Sequence, residues 1–191
     1  KTALPWMSIG YETQIPPIST LTFYNAIANG GRMMRPRFVK AVVKDGKVIA
    51  EYPPQVMRER ICKPWTLGKI QTILEKVVSQ GLGKKAGSRS FKVAGKTGTA
   101  QISQGAAGYK SGTVNYLLSF AGYFPADNPR YSCIVCIQKS GLPASGGGMS
   151  GLVFHNIAEG IMAQDIKLDV RDARDSTSVL VPDVKNGNIL A

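Results

Sequence analysis

The stretch "FKVAGKTGTAQ", residues 91–101, decides how this chain is read. It contains Gly-Lys-Thr, the end of a phosphate-binding loop, and also Lys-Thr-Gly on a run that reads as a strand. A phosphate loop needs a glycine five residues before Gly95, and Ser90 stands there. It also needs a helix after the lysine, with its N-terminus facing the phosphate. "TGTAQISQGAAG" cannot supply one: Gly98, Gly105 and Gly108 interrupt it, and its apolar residues show no 3.6-residue period. The lysine therefore belongs to a strand.

On a strand the four residues after Gly95 form a substrate-binding set. Lys96 supplies a cation for a carboxylate. Thr97 and Thr99 are two apart, so their hydroxyls point to one face. Gly98 points to the other face, where the lack of a side chain lets another backbone or helix approach. The Thr99 N–H is placed to join an oxyanion hole, and the strand edge can pair with an extended peptide. Alone, the tripeptide is equally compatible with an exposed polar strand end.

Working outward, "YLLSFAGYF" and "YSCIVCIQ" complete a meander of strands at 91–101, 114–124 and 131–139. Both runs are apolar at odd and even positions, as in strands covered on both faces. "PADNPR" is a turn between the last two, and "SQGAAGYKSG" is a longer, mobile connection between the first two. Upstream, "PPISTLTFYNAIANGG" reads as a helix with prolines at its start and Gly30 at its stop. Ile18, Leu21, Tyr24 (or Asn25) and Ala28 form its apolar stripe. "RFVKAVVKDGKVIAEY" gives a hairpin around Asp45-Gly46, and "YPPQVMRERICK" an irregular connector. Pro64 opens a second helix, with Leu67, Ile70, Ile73, Leu74 and Val77 inward and Gly81 after its end. "GLGKKAGSRS" is a glycine-rich basic loop, and "GMSGLVFHNIAEGIMAQ" a closing helix with Met149, Leu152, Val153, Ile157 and Ile161 inward. The order predicts an α+β domain, helices packed on an antiparallel sheet.

The chain has 191 residues and a net charge of +12, with pI about 9.8. Such a balance suits nucleic acid, a membrane surface or anionic polymers such as cell-wall material. Its cations are dispersed, Lys84-Lys85 apart, and its aromatics do not interleave with them, so no nucleic-acid partner is expected. Cys62 and the pair Cys133 and Cys136 are too few for a disulfide-built fold. Residues three apart on a strand face opposite ways, so Cys133-Ile-Val-Cys136 predicts two buried, inert thiols and no metal. No cofactor is expected. No run approaches the roughly 20 apolar residues of a membrane span. His155, the only histidine, falls on the more polar face of the closing helix and reads as a surface or second-layer side chain. The chain opens on "KTALPWMSIG" without a start methionine or signal peptide, and is expected to be cut from a longer one.

"VAGKTGTAQ" resembles the third motif of a class B penicillin-binding protein, a monofunctional D,D-transpeptidase. "MSIGYETQIPPISTLTFYNAIANGGRMMRPRFVKAV", "VVSQGLGKKA" and "SFAGYFPADNPRYSCIVCI" resemble the flanking parts of the same domain. The resemblance runs from about residue 5 to 165, and departs at "GYETQIPP", where the family more often has a second glycine and Thr-Pro. The family's other two motifs, Ser-x-x-Lys and Ser-x-Asn, are not found in this sequence. The resemblance therefore implies the C-terminal half of a transpeptidase domain at 1–168, with the nucleophilic serine and its lysine upstream, and a linker at 169–178. "VPDVKNG" makes 179–191 similar to the opening of a wall-binding PASTA domain; a stray strand is the other reading. The implied parent is extracytoplasmic, in the periplasm or at the cell surface, and anchored to the cytoplasmic membrane by a segment outside this chain. It cross-links peptidoglycan stem peptides, is acylated by β-lactams, and works with membrane proteins of the divisome or elongasome. Lys96, Thr97, Gly98 and Thr99 are the substrate-binding residues so implied, Lys96 and Thr99 also acting in catalysis. A D,D-carboxypeptidase or β-lactamase-like sensor, and a non-catalytic wall-binding module, are the alternatives. The family pairs the strand matching 131–139 with one from the other half of the domain, so self-association through 131–139, or its cover by the C-terminal tail, is expected.

Overall fold

The computed structural model describes residues 3–174 except 9, 12, 104–108, 110 and 111. Residues through Asn156 form one compact unit, and Ile157 begins a second. The chain runs α1 (Ala3–Ser8), α2 (Pro17–Ala28), β1 (Met33–Met34), β2 (Ala41–Lys44), β3 (Lys47–Glu51), β4 (Val56–Arg58), α3 (Pro64–Ser79), β5 (Ala94–Ile102), β6 (Asn115–Phe124), β7 (Tyr131–Ser140) and α4 (Gly151–Arg174). The predicted α+β class holds, with three antiparallel sheets among the described residues. Pro17 and Pro64 each open a helix, where the missing N–H costs nothing. At the hairpin tip Asp45 (φ 50°) and Gly46 (φ 73°) are both left-handed, the pairing a two-residue hairpin turn requires.

The central sheet has the order β5-β6-β7. Its register fixes which side chains share a face. Ala94 lies opposite Tyr123, Gly98 opposite Ser119, and Ser119 in turn opposite Cys136. Tyr123 and Ala94 join Ile27 of α2 and Leu74 of α3 in one core cluster. Burial, and secondarily the charge of Glu75, push the Tyr123 phenol up to about 12. Hydrogen bonds fasten this layer: Gln71 Nε2 donates to Ile27 O at 2.9 Å, and Asn25 Nδ2 to Ser132 Oγ at 3.0 Å. The opposite face carries Leu118, Phe120 and Phe124, all fully buried. Phe154, in the first turn of α4, packs on Phe120 at 4.7 Å between centroids and on Phe124 at 5.6 Å. β6 is thus covered on both faces, as its uninterrupted apolar run predicts.

Several sequence expectations are corrected. The helix stripes hold in part: Tyr24, Ala28, Leu67 and Leu74 pack on the core as expected, Ala26, Ile27 and Val78 are buried beside them, and Ile18, Ile70 and Ile73 are exposed. In α4 Leu152, Val153 and Ile157 are exposed, while Phe154 is buried. A helix resting on a flat sheet contacts it through a narrow line, and periodicity alone cannot say which of several apolar rows takes that line. The connector at 52–63 contains β4, which pairs with β1. The basic loop contains a 3-10 turn at Lys84–Ala86. β7 is not covered on both faces: Cys133 is half-buried and Cys136 exposed. They do face opposite ways, and desolvation raises both thiol pKa values, which keeps them poor nucleophiles. α4 continues to Arg174, past the predicted linker start at 169. Residues 179–191 and most of "SQGAAGYKSG" lie outside the described residues.

Phe120→Ala is expected to cost about 3–5 kcal/mol, by loss of transfer energy and the cavity left behind. Leu152→Ala is expected to cost about 1 kcal/mol or less, because the side chain is already 47% exposed. Chemical denaturation of the two variants checks the assignment; the reverse order would place Leu152 inward.

Candidate active site

β5 is an edge strand, and its hydrogen-bond pattern shows which of its backbone groups face outward. Gln101 N–H donates to the Tyr11 hydroxyl at 3.0 Å, away from β6. In an antiparallel pair every second residue turns its N–H and C=O from its neighbour. Thr97 and Thr99, four and two residues before Gln101, therefore direct their N–H groups to the open edge. Lys96, Gly98 and Ala100 spend theirs on β6. Beyond Gly95 the edge offers two outward amides in a row, those of Thr97 and Thr99, and the next, that of Gln101, is capped. Tyr11 is held for this by Trp6 and Tyr109, whose rings lie 5.1 and 5.5 Å from its own, while Trp6 and Tyr109 stack at 5.8 Å.

The side chains are ordered by their neighbours. Lys96 is exposed, and its ammonium curls round the edge to donate to Thr97 O at 2.7 Å and Thr97 Oγ1 at 3.3 Å. Thr99 Oγ1 accepts from the Gly146 N–H at 3.0 Å. A hydroxyl has one hydrogen to give and two lone pairs to receive. With one lone pair occupied in each case, the O–H groups of Thr97 and Thr99 remain donors. Two hydroxyl donors on one face beside an ammonium are the kind of groups that bind a carboxylate.

What holds Thr99 in place is a turn that the sequence reading passed over. Residues Gly146–Ser150 form a π-turn that leads straight into α4, its start capped by Ser145 Oγ, which accepts from Gly148 N–H at 2.9 Å. This turn lies flush on β5. A Cβ on Gly146 would sit 2.1 Å from Gly98 O and 2.8 Å from Ser119 O; one on Gly147 would sit 2.1 Å from Leu82 O. Only glycine fits at both positions. The signal was available: "SGGGMS" places three glycines directly before a helix. Gly98 faces the other side of the sheet, as predicted, and what it admits is Ser119: a Cβ there would stand 2.3 Å from Ser119 Oγ.

The other candidates fall elsewhere. His155 lies in the second layer, as expected; its Nδ1 donates to the Gly87 carbonyl at 2.9 Å, which fixes the tautomer. A cleft of about 710 Å³, lined by Glu75, Lys84, Arg89, Lys92 and Asp127, does not include Lys96. Among the described residues no group of three His, Cys, Asp or Glu side chains is placed to hold a metal.

An α+β unit whose edge strand presents Lys-Thr-Gly-Thr, backed by a glycine turn and an aromatic-faced helix, has the build of a penicillin-interacting domain. Residues 3–159 match the family described as penicillin binding protein transpeptidase domain. Penicillin-binding protein PbpB of Mycobacterium tuberculosis is 33% identical over 170 residues, covering 83% of this chain and 24% of the relative. PbpB of Mycolicibacterium smegmatis is 31% identical over 166 residues, covering 82% and 25%. Among solved structures, the transpeptidase domain of the FtsI4 D,D-transpeptidase of Legionella pneumophila is 28% identical with a TM-score of 0.62, over 84% of this chain and 51% of that one. The transpeptidase domain of penicillin-binding protein 3 from Burkholderia pseudomallei is 31% identical with a TM-score of 0.61, over 83% and 45%. The chain belongs to the transpeptidase domain family of class B penicillin-binding proteins, and spans about a quarter of the length of these curated relatives.

Gly146→Ala is expected to cost about 1–3 kcal/mol, because the new methyl meets two backbone carbonyls that cannot turn away. Gly98→Ala meets only a hydroxyl, so Ser119→Ala in the same chain is expected to recover most of its cost. Thermal melts of the single and double variants give the coupling; additive losses at 98 and 119 would contradict the packing described.

Proposed function

We propose that this chain is the substrate-groove half of a serine D,D-transpeptidase domain that cross-links peptidoglycan stem peptides and is acylated by penicillin. The observation that carries the reading is the open edge of β5. Two outward amides, two hydroxyl donors and one ammonium are arranged on four consecutive residues. A stem peptide ending in D-Ala-D-Ala pairs with that edge, and Thr97 and Thr99 receive its terminal carboxylate. Lys96 adds positive potential, which draws in the carboxylate and strengthens the hydroxyl donors around it. The scissile carbonyl then lies near the Thr99 N–H, which stabilises the oxyanion that forms when a serine attacks.

That serine is not among these residues. No serine here is followed three positions later by lysine, so neither the nucleophile nor its general base is supplied by this chain. In the acyl step the serine oxygen bonds to the carbonyl carbon and D-Ala leaves with the proton. The amine of a second stem peptide then displaces the serine. The parent protein acts on the outer side of the cytoplasmic membrane, where its substrate lies. No described helix of this chain is long and apolar enough to cross a membrane.

Two measurements test the reading. The 191-residue chain should not be labelled covalently by a fluorescent penicillin, while the parent protein should be. Stoichiometric labelling of the chain at any serine would refute the division of labour. In the parent, Lys96→Ala should slow penicillin acylation about a hundred- to a thousandfold, the usual effect of losing one preorganised electrostatic group, with the melting temperature held. Unchanged acylation with a collapsed melting temperature would make Lys96 structural.

A further inference from the structure

The strongest unexplained feature is the β2–β3 ribbon. Its two strands pair with each other and pack only marginally on anything else among the described residues. An isolated two-stranded ribbon is marginal in water and gains stability from a third strand or a covering element. Yet this one carries a dense apolar set in the open. Val43, Val48 and Ile49 are 59–61% exposed, and Phe38, just before β2, is 86% exposed. Val43 and Val48 share one face, and Val42 lies on the other, so the surface is apolar on both sides. At the ribbon's base Phe38, Val39, Tyr52 and Pro53 line a cleft of about 330 Å³, flanked by Arg35 and Arg37. Contiguous apolar surface of this kind marks an interaction site.

Charge selects the occupant. From Arg35 to Lys44 the chain carries Arg35, Arg37, Lys40 and Lys44 and no acid. Lys47 adds a fifth cation across the turn, directly opposite Lys44. A second copy pairing antiparallel edge to edge about Val42 would set Lys40 against Lys44 twice over, and like charges directly opposite destabilise a strand pair. The net charge of +12 opposes self-pairing further. We infer that the β2–β3 ribbon is a docking surface for an acidic, extended segment of another protein, which adds a strand along the free edge of β2 and seats an apolar side chain in the cleft beside Phe38. Backbone bonding supplies the attachment, the cleft the anchor, and the flanking arginines and lysines the choice of an acidic partner.

The test uses the whole 191-residue chain and fluorescein-labelled ten-residue peptides that alternate valine with glutamate around one central phenylalanine. The control peptide has lysine in place of each glutamate. The acidic peptide is expected to bind, with affinity falling about tenfold as salt rises across the range where surface charges become screened. The lysine peptide is expected not to bind. Amide exchange should slow across residues 40–44 when the acidic peptide is present. Lys40→Glu with Lys44→Glu, and separately Phe38→Ser, should each weaken binding about tenfold or more. All three residues lie at the surface, so circular dichroism should be unchanged. Equal binding of both peptides, no binding of the acidic one, or undiminished binding by the charge-reversed variant would overturn the inference. So would displacement of the peptide by a single-stranded oligonucleotide, which would mark a general polyanion site. Sedimentation as a dimer that Phe38→Ser dissolves would assign the surface to a second copy instead.

Discussion

The hydrogen bond from the Gly146 N–H to the Thr99 hydroxyl is the point on which the rest of the molecule turns. It exists because the backbone at Gly146 comes closer to Gly98 O than any side chain allows. The same turn starts α4, and four residues past its end Phe154 drops onto Phe120 and Phe124. The core contact that covers one face of the sheet and the contact that orients a site hydroxyl are thus consecutive on the chain. This economy explains why a run of glycines, which weakens a helix start by itself, is kept here: it is the only composition that lets the helix approach the strand.

The other side of the same strand is organised differently. Lys96 and Gly98 lie on the face that α2 and α3 cover only near Tyr123 and Ala94. Farther along, that face presents Gly98, Ser119 and the exposed Cys136. The strand is therefore buttressed from one side and open along its edge. Tyr11 closes the far end by taking the Gln101 amide. Between Gly95 and the aromatic group of Trp6, Tyr11 and Tyr109 lie two outward amides, those of Thr97 and Thr99. Burial fixes the position of the strand, and polar contacts fix the aim of its side chains.

Much of this was legible in the sequence, for physical reasons that can be named. The Lys-Thr-Gly-Thr strand and the three-strand meander are local patterns, set by period-2 spacing and turn residues, and they appear where expected. Asp45-Gly46 is a hairpin because both residues tolerate positive φ. Helix positions were readable from their opening prolines, and helix faces only in part: Tyr24, Ala28, Leu67 and Leu74 do pack on the core. Val78, Ile27 and Phe154 were missed as inward residues because each helix has apolar side chains on more than one row, and the sheet selects among them. The pairing of Met33–Met34 with Val56–Arg58 joins segments of two and three residues across an intervening hairpin, too short for any pattern. Cys136 was expected inside because "CIVCI" is apolar throughout, but β7 is an edge strand and one of its faces is open. The Tyr11 cap is invisible to sequence: it joins residues ninety positions apart through a single hydroxyl.

The most direct test of the account is to ask which backbone amides of β5 sense a ligand. A diacylated tripeptide ending in D-Ala-D-Ala, titrated into the isotope-labelled chain, is to be followed by amide chemical shifts. The account predicts saturable shifts at Thr97 and Thr99, little at Lys96 and Gly98, whose N–H groups face β6, and little at Gln101, whose N–H is already held by Tyr11. Loss of the terminal carboxylate from the peptide should abolish them. Shifts centred on Gln101 or spread over the cleft near Arg89, with Thr97 and Thr99 silent, would contradict it.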